Sequence, residues 1–159
     1  MKIRIPYLDV SMLVRTYFEA GSTPRWHEIQ DACLAPNPDP ISGDHYSANF
    51  EIVDHLENEG ATPEDLMAAL PDAPPPRYLF IADETTFLDP ETPVLVLDLR
   101  DQPGQRFRVI PRVIWAVENN LSIRNTQFQA YLDMLADSGV SDGVLRNTGA
   151  TTSPPTDPS

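Results

Sequence analysis

Between Trp26 and Pro76 the chain has no Lys or Arg, and this gap is its most informative absence. The same stretch carries eleven carboxylates: Glu28, Asp31, Asp39, Asp44, Glu51, Asp54, Glu57, Glu59, Glu64, Asp65 and Asp72. Solvated carboxylates with so few cations nearby attract basic surfaces and repel nucleic acid and anionic lipid. The later Arg100, Arg106, Arg108, Arg112 and Arg124 are accompanied only by Asp101 and Glu118, so the chain is electrically two-sided. The net charge of −13 survives any internal pairing and speaks against DNA or RNA as a partner.

Other absences narrow the class further. A lone Cys33 cannot form an internal disulfide and has no His placed beside it by any motif, which leaves it a thiol half-buried on a helix. No run approaches the roughly 18 apolar residues of a membrane span. Pro6 and Asp9 interrupt the N-terminal segment where a signal peptide needs its apolar stretch, so a cytoplasmic location and no membrane association are expected. The three histidines, His27, His45 and His55, match no His-Glu-x-x-His spacing, and Cys-x-x-Cys is missing, so no metal is expected. None of the seven glycines falls in a phosphate-cradling pattern, and no cofactor is expected. No Ser-His-Asp or Cys-His order marks a catalytic residue.

What is present suits one core, because 159 residues with 41% apolar content can bury about two thirds of their unfolded surface. Residues 11–18 alternate as a first strand whose inward face the pattern leaves open. Thr23-Pro24 supplies an N-cap and a first-turn proline for a helix with Trp26, Ile29 and Cys33 on its buried stripe, ending by Pro36. Asn37 to Pro40 reads as a stiff loop, and residues 48–56 as a strand with Phe50 and Ile52 opposite Glu51 and Val53. Thr62-Pro63-Glu64-Asp65 opens a short helix through Leu70, which Pro71 and Pro74 to Pro76 end.

The second half reads as a meander of Tyr78 to Ala82, Val94 to Leu99 and Phe107 to Ile110, with turn signals at Asp89-Pro90 and Pro103-Gly104. The run Val94 to Leu97 is apolar on both faces and belongs in the middle of a sheet. Pro111 opens a helix to about Glu118, with Asn119-Asn120 as its stop. Asn125 caps a last helix bearing Phe128, Tyr131, Leu132 and Leu135. The expected fold is a single α+β domain over residues 1–146, a mostly antiparallel sheet of about five strands with helices packed on one face. A disordered, low-complexity tail is expected over 147–159.

The segment Phe107-Arg108-Val109-Ile110-Pro111, followed by Trp115, Glu118-Asn119-Asn120-Leu121-Ser122-Ile123, Asn125 and Phe128, resembles the signature of a family of small bacterial proteins of unknown function. Looser matches extend over residues 11–146: Leu13 to Thr16 with Trp26, Phe80 to Asp83, Pro93 to Leu99, and Gly143 to Arg146. Tyr17 departs from the pattern where an acidic residue is expected. The resemblance implies no substrate, cofactor or catalytic residue.

Within that motif, Glu118, Asn119 and Asn120 offer a carboxylate and two amides at a helix end, suited to capping or to fixing a ligand. Arg108 points away from Phe107 and pairs with Glu118 or with an acidic strand residue. The favoured function is a non-enzymatic, protein-binding domain of the immunity or inhibitor kind. Its acidic face, with Glu51, Asp54, Glu57, Glu59, Glu64 and Asp65, would neutralise a basic protein partner. The alternative is an adaptor docking through the Trp115 to Asn125 region. A small-molecule enzyme using Arg108, Glu118 and Asn120 ranks last.

Overall fold

The computed structural model describes residues 2–6, 9–70, 77–124, 126–139 and 142–147. The prolines 71 and 74–76, the cap Asn125 and the tail from 148 onward lie outside the described residues. Among the described residues, eight strands and five helices follow in the order β1 (Met12–Arg15), α1 (Thr23–Leu34), β2 (Asn37–Pro38), β3 (His45–Tyr46), β4 (Glu51–Val53), α2 (Pro63–Ala69), β5 (Tyr78–Ala82), α3 (Glu84–Leu88), β6 (Val94–Asp98), β7 (Arg106–Val109), α4 (Pro111–Ser122), α5 (Phe128–Ser138) and β8 (Val144–Leu145). A 3₁₀ turn, Leu56–Asn58, precedes α2.

Six strands form one sheet in the order β4-β1-β5-β6-β7-β8, and β2 pairs with β3 in a separate ribbon. The sheet is mixed. β1 runs parallel to both β4 and β5, and β7 parallel to β8, while β5-β6 and β6-β7 are antiparallel. The expected meander is correct for β5 to β7, but the mostly antiparallel, five-stranded sheet is not. The first half is strand, helix, strand, helix, strand, and a helical crossover returns the chain to the same end of the sheet, which forces parallel pairing. The helices α1 and α2 leave β1 and β4 in opposite directions across the sheet. With crossovers of one hand they must lie on opposite faces.

They do, so helices cover both faces rather than one. On the first face Leu13, Phe80, Val94, Val96, Phe107 and Val109 pack under α1, α4 and α5 with Trp26, Ile29, Ile114, Val117 and Tyr131. On the second, Met12, Val14, Leu79, Ile81, Leu95 and Leu97 pack under Leu66 of α2 and the half-buried Ile3 and Ile5. All four residues of β1 are buried, which explains why its alternation favoured neither face. β6 is buried along its full length, as its apolar run requires. Burying each large side chain of this kind contributes roughly 1.5–3 kcal/mol. Cys33 is fully buried rather than half-buried, and burial pushes its thiol up to about 12.

Local chemistry sets several boundaries. Thr62 and Asp65 cap α2 reciprocally, Asp65 N–H to Thr62 Oγ1 at 3.1 Å and Thr62 N–H to Asp65 Oδ2 at 3.0 Å. α1 begins at Thr23, so its N-cap is Ser22 rather than Thr23, and the Ser22 hydroxyl is taken by Arg15 Nη2 at 2.9 Å. α4 does not stop at Asn119-Asn120. Asn119 Nδ2 donates back to the Trp115 carbonyl at 2.7 Å and Asn120 Nδ2 to the Tyr131 hydroxyl at 3.3 Å, and the buried Leu121 carries the helix past both to Ser122.

Candidate functional site

Three parallel strands, β4, β1 and β5, end side by side, and the connections after β1 and β4 diverge to opposite faces of the sheet. In open α/β sheets such a switch point leaves a crevice at the carboxyl ends of the strands. Here it is a cleft of about 420 Å³ lined by Thr16, Tyr17, Phe18 and Glu19 after β1, by Glu59, Gly60 and Ala61 after the 3₁₀ turn, and by Asp83, Glu84 and Thr85 after β5. The loops are pinned to each other. Thr16 N–H donates to the Ala82 carbonyl at 3.0 Å and Gly60 N–H to the Thr16 carbonyl at 2.8 Å. Gly60 holds φ +71°, a left-handed value that favours glycine at this turn.

The cleft is acidic. Asp83 is committed to Arg108, whose Nη1 and Nη2 donate to its two oxygens at 2.9 and 2.8 Å. Asp83 also caps α3, accepting from Thr86 N–H at 3.2 Å. Glu19, Glu59 and Glu84 have no ion-pair partner among the described residues. The Tyr17 phenol is pushed up by desolvation and then by the Glu19 and Glu84 carboxylates. Thr16 is only 4% exposed, and its hydroxyl has no hydrogen-bond partner among the described residues.

Beneath the cleft, Arg15 is buried and tightly held. It donates to the Tyr17 carbonyl at 2.9 Å, to Ser22 Oγ at 2.9 Å and to Asp54 Oδ1 at 3.3 Å, and its guanidinium lies 4.2 Å from the Phe18 ring centroid. Asp54 accepts a further bond from Trp26 Nε1 at 3.2 Å. Its carboxylate thus bonds to Arg15 and Trp26 while its side chain stays 44% exposed.

The other acids of the anticipated partner-binding set are divided. Glu57 faces Arg4 at 3.6 Å, and Glu64 takes Arg106 Nη2 at 2.6 Å, a bond that holds its carboxyl below the usual range. Asp65 is held low by the Thr62 backbone N–H, then by its hydroxyl. Glu51 and Glu59 are exposed with no ion pair among the described residues, but Glu51 opens β4 at the end away from the cleft. Only Glu59 of the six lines the cleft. Glu19, Asp83, Glu84 and Thr16 were missed in the sequence. Each follows the carboxyl end of a β-run, and the strand-helix-strand order was the signal that could have found them.

The family motif does not converge either. Arg108 alternates with Phe107 and Val109, so it lies on the second face of the sheet, whereas α4 packs on the first. A pair with Glu118 is thus precluded, and the acidic partner is Asp83. Glu118 is buried and accepts from Ser11 Oγ at 2.7 Å, Ser122 Oγ at 2.6 Å and Asn49 N–H at 2.9 Å. Pro111 starts α4, and Trp115 is 9% exposed and stacked on Tyr46 of β3 with centroids 5.2 Å apart. Among the described residues no three His, Cys, Asp or Glu side chains gather in reach of one metal ion. No helix is long and apolar enough to cross a membrane among those residues.

No curated protein matches this chain. A family described as a domain of unknown function (DUF6924) matches residues 10–147, nearly the whole of it, and the chain belongs to that family.

Proposed function

We propose that this is a non-enzymatic binding domain that holds a basic protein partner against its acidic surface, in the manner of an immunity or inhibitor protein, with the cleft at the ends of β4, β1 and β5 as its centre. The observation that carries the reading is that Glu19, Glu59 and Glu84 line one cleft and none of them has an ion-pair partner among the described residues. An uncompensated negative cleft raises the local concentration of cations and steers a basic surface toward it. The enzyme reading has less support, because Arg108, Glu118 and Asn120 do not converge and bond instead to Asp83, to Ser11 with Ser122 and Asn49, and to Tyr131 in separate places. The adaptor reading has less support, since Trp115 faces inward and the Asn119 to Asn125 segment is left with Ile123 as its exposed apolar group.

The test begins with candidate partners of high isoelectric point encoded beside this gene. Stopped-flow association with such a partner is measured across a salt series. The on-rate should fall steeply as salt shortens the screening length toward about 8 Å, with dissociation less affected. On-rates indifferent to salt remove the acidic surface from the mechanism.

A further inference from the structure

We infer that the cleft seats the guanidinium of an arginine side chain presented by the basic partner, an assignment that rests on the binding-domain reading above. Beyond the carboxylates, the observation that points to an occupant is Thr16. The residue is 4% exposed and lines the cleft, yet its hydroxyl bonds to nothing among the described residues. A buried hydroxyl without a partner is costly, and the cost disappears when a donor enters beside it. The same residue is fixed through both backbone groups, to Ala82 and to Gly60, so its position is set before any ligand arrives.

The chemistry of the walls selects the donor. Three carboxylates stand on three different segments, Glu19 on the loop after β1, Glu59 after the 3₁₀ turn and Glu84 at the first turn of α3, and Asp83 is already held by Arg108 and Thr86. A bare metal ion does not suit the arrangement, because no three ligating groups gather closely among the described residues and the cleft, at about 420 Å³, has the size of a small-ligand site. An ammonium is a compact point charge with three donors. A guanidinium is a planar fork with five, which reaches acceptors on separate walls at once and leaves an N–H for the Thr16 hydroxyl.

The probe is agmatine, which carries a guanidinium on a short flexible stem, titrated into the full chain with amide chemical shifts as the readout. Saturable shifts should appear at Thr16, Gly60 and Thr85, and cadaverine, with an ammonium in the same place, should bind several-fold more weakly. Replacing Glu59 and Glu84 together by Gln should weaken agmatine by at least about tenfold. Both side chains are exposed, so the fold should tolerate the change. Thr16→Val should weaken agmatine less, and Asp137→Asn, on the exposed side of α5, should change nothing.

The assignment is overturned by agmatine shifts that do not saturate at the cleft, by cadaverine or calcium binding as tightly as agmatine, or by equal losses in the Asp137 variant. Any of these leaves the acidic-surface reading standing when partner association still slows with salt. Saturable, cleft-specific agmatine binding combined with salt-indifferent partner association supports the pocket and removes the wider reading instead.

Discussion

Arg108 and Asp83 meet in a two-pronged ion pair that fastens β7 to the end of β5 across the intervening β6, with Arg108 Nη1 also donating to the Pro93 carbonyl at 3.0 Å. Each side chain is about a quarter exposed. Burial alone would raise the Asp83 carboxyl, but the Arg108 hydrogen bond and charge and the Thr86 bonds outweigh it and hold it below 3.8. Bidentate pairs of this kind bring geometry as well as energy.

Removing one member leaves the other charge partly buried and alone. Arg108→Leu should therefore cost about 3 kcal/mol, and Arg108→Lys should recover only part of it because an ammonium cannot bridge both oxygens. Since the folded carboxyl is depressed, its stabilising contribution is present above its ordinary value and is lost as pH falls through the folded one. Urea midpoints of wild type and Arg108→Leu should thus draw together on acidification below pH 3.8. A gap that stays constant with pH contradicts the pairing.

Glu118 gives a graded test of a buried carboxylate held by donors that carry no charge. Glu118→Ala orphans the Asn49 N–H and should cost about 2 kcal/mol. Glu118→Gln keeps an acceptor for that N–H and lets the two hydroxyls rotate, so it should cost about half as much. Thermal melts that rank Gln as worse than Ala would sink this account.

Trp115 closes the first face between α4 and the β2-β3 ribbon. Trp115→Ala should cost about 3–5 kcal/mol, as large core truncations do. An unchanged denaturant midpoint would mean that the ring is a docking group after all.

Cys33 should resist alkylation in the native protein, since the thiolate is the reactive form and burial keeps the thiol protonated up to about 12. Between pH 9.0 and about 12 the unfolded chain releases a proton that the native state retains, so stability should decline through that window. Labelling that proceeds at the rate of a free thiol at neutral pH would contradict the burial.

Element types were readable from the sequence where apolar period and end signals agreed, as in α1, α2, β6 and α5. Direction was not. β4 was readable from the alternation at residues 48–56, but β8 is two residues long, too short to carry a pattern, and α3 has a reciprocal Asp83-Thr86 cap but only five residues of helix. The acidic stretch was visible as composition, but its allocation was hidden, because Arg15, Arg4 and Arg106 reach Asp54, Glu57 and Glu64 from thirty-nine to fifty-three residues away in the chain. Spacing reveals which residues share a face. It does not reveal which distant cation will claim a carboxylate, and the cleft depends on the acids left over.

The brevity of the two outer strands has a bearing on how the molecule behaves in a crowded solution. β4 and β8 expose very little unpaired backbone at the rims of the sheet, and β4 begins with the exposed charge of Glu51. An intruding strand from another chain finds few N–H and C=O groups to template on and a carboxylate at the threshold, which is how sheets guard against growing into fibres.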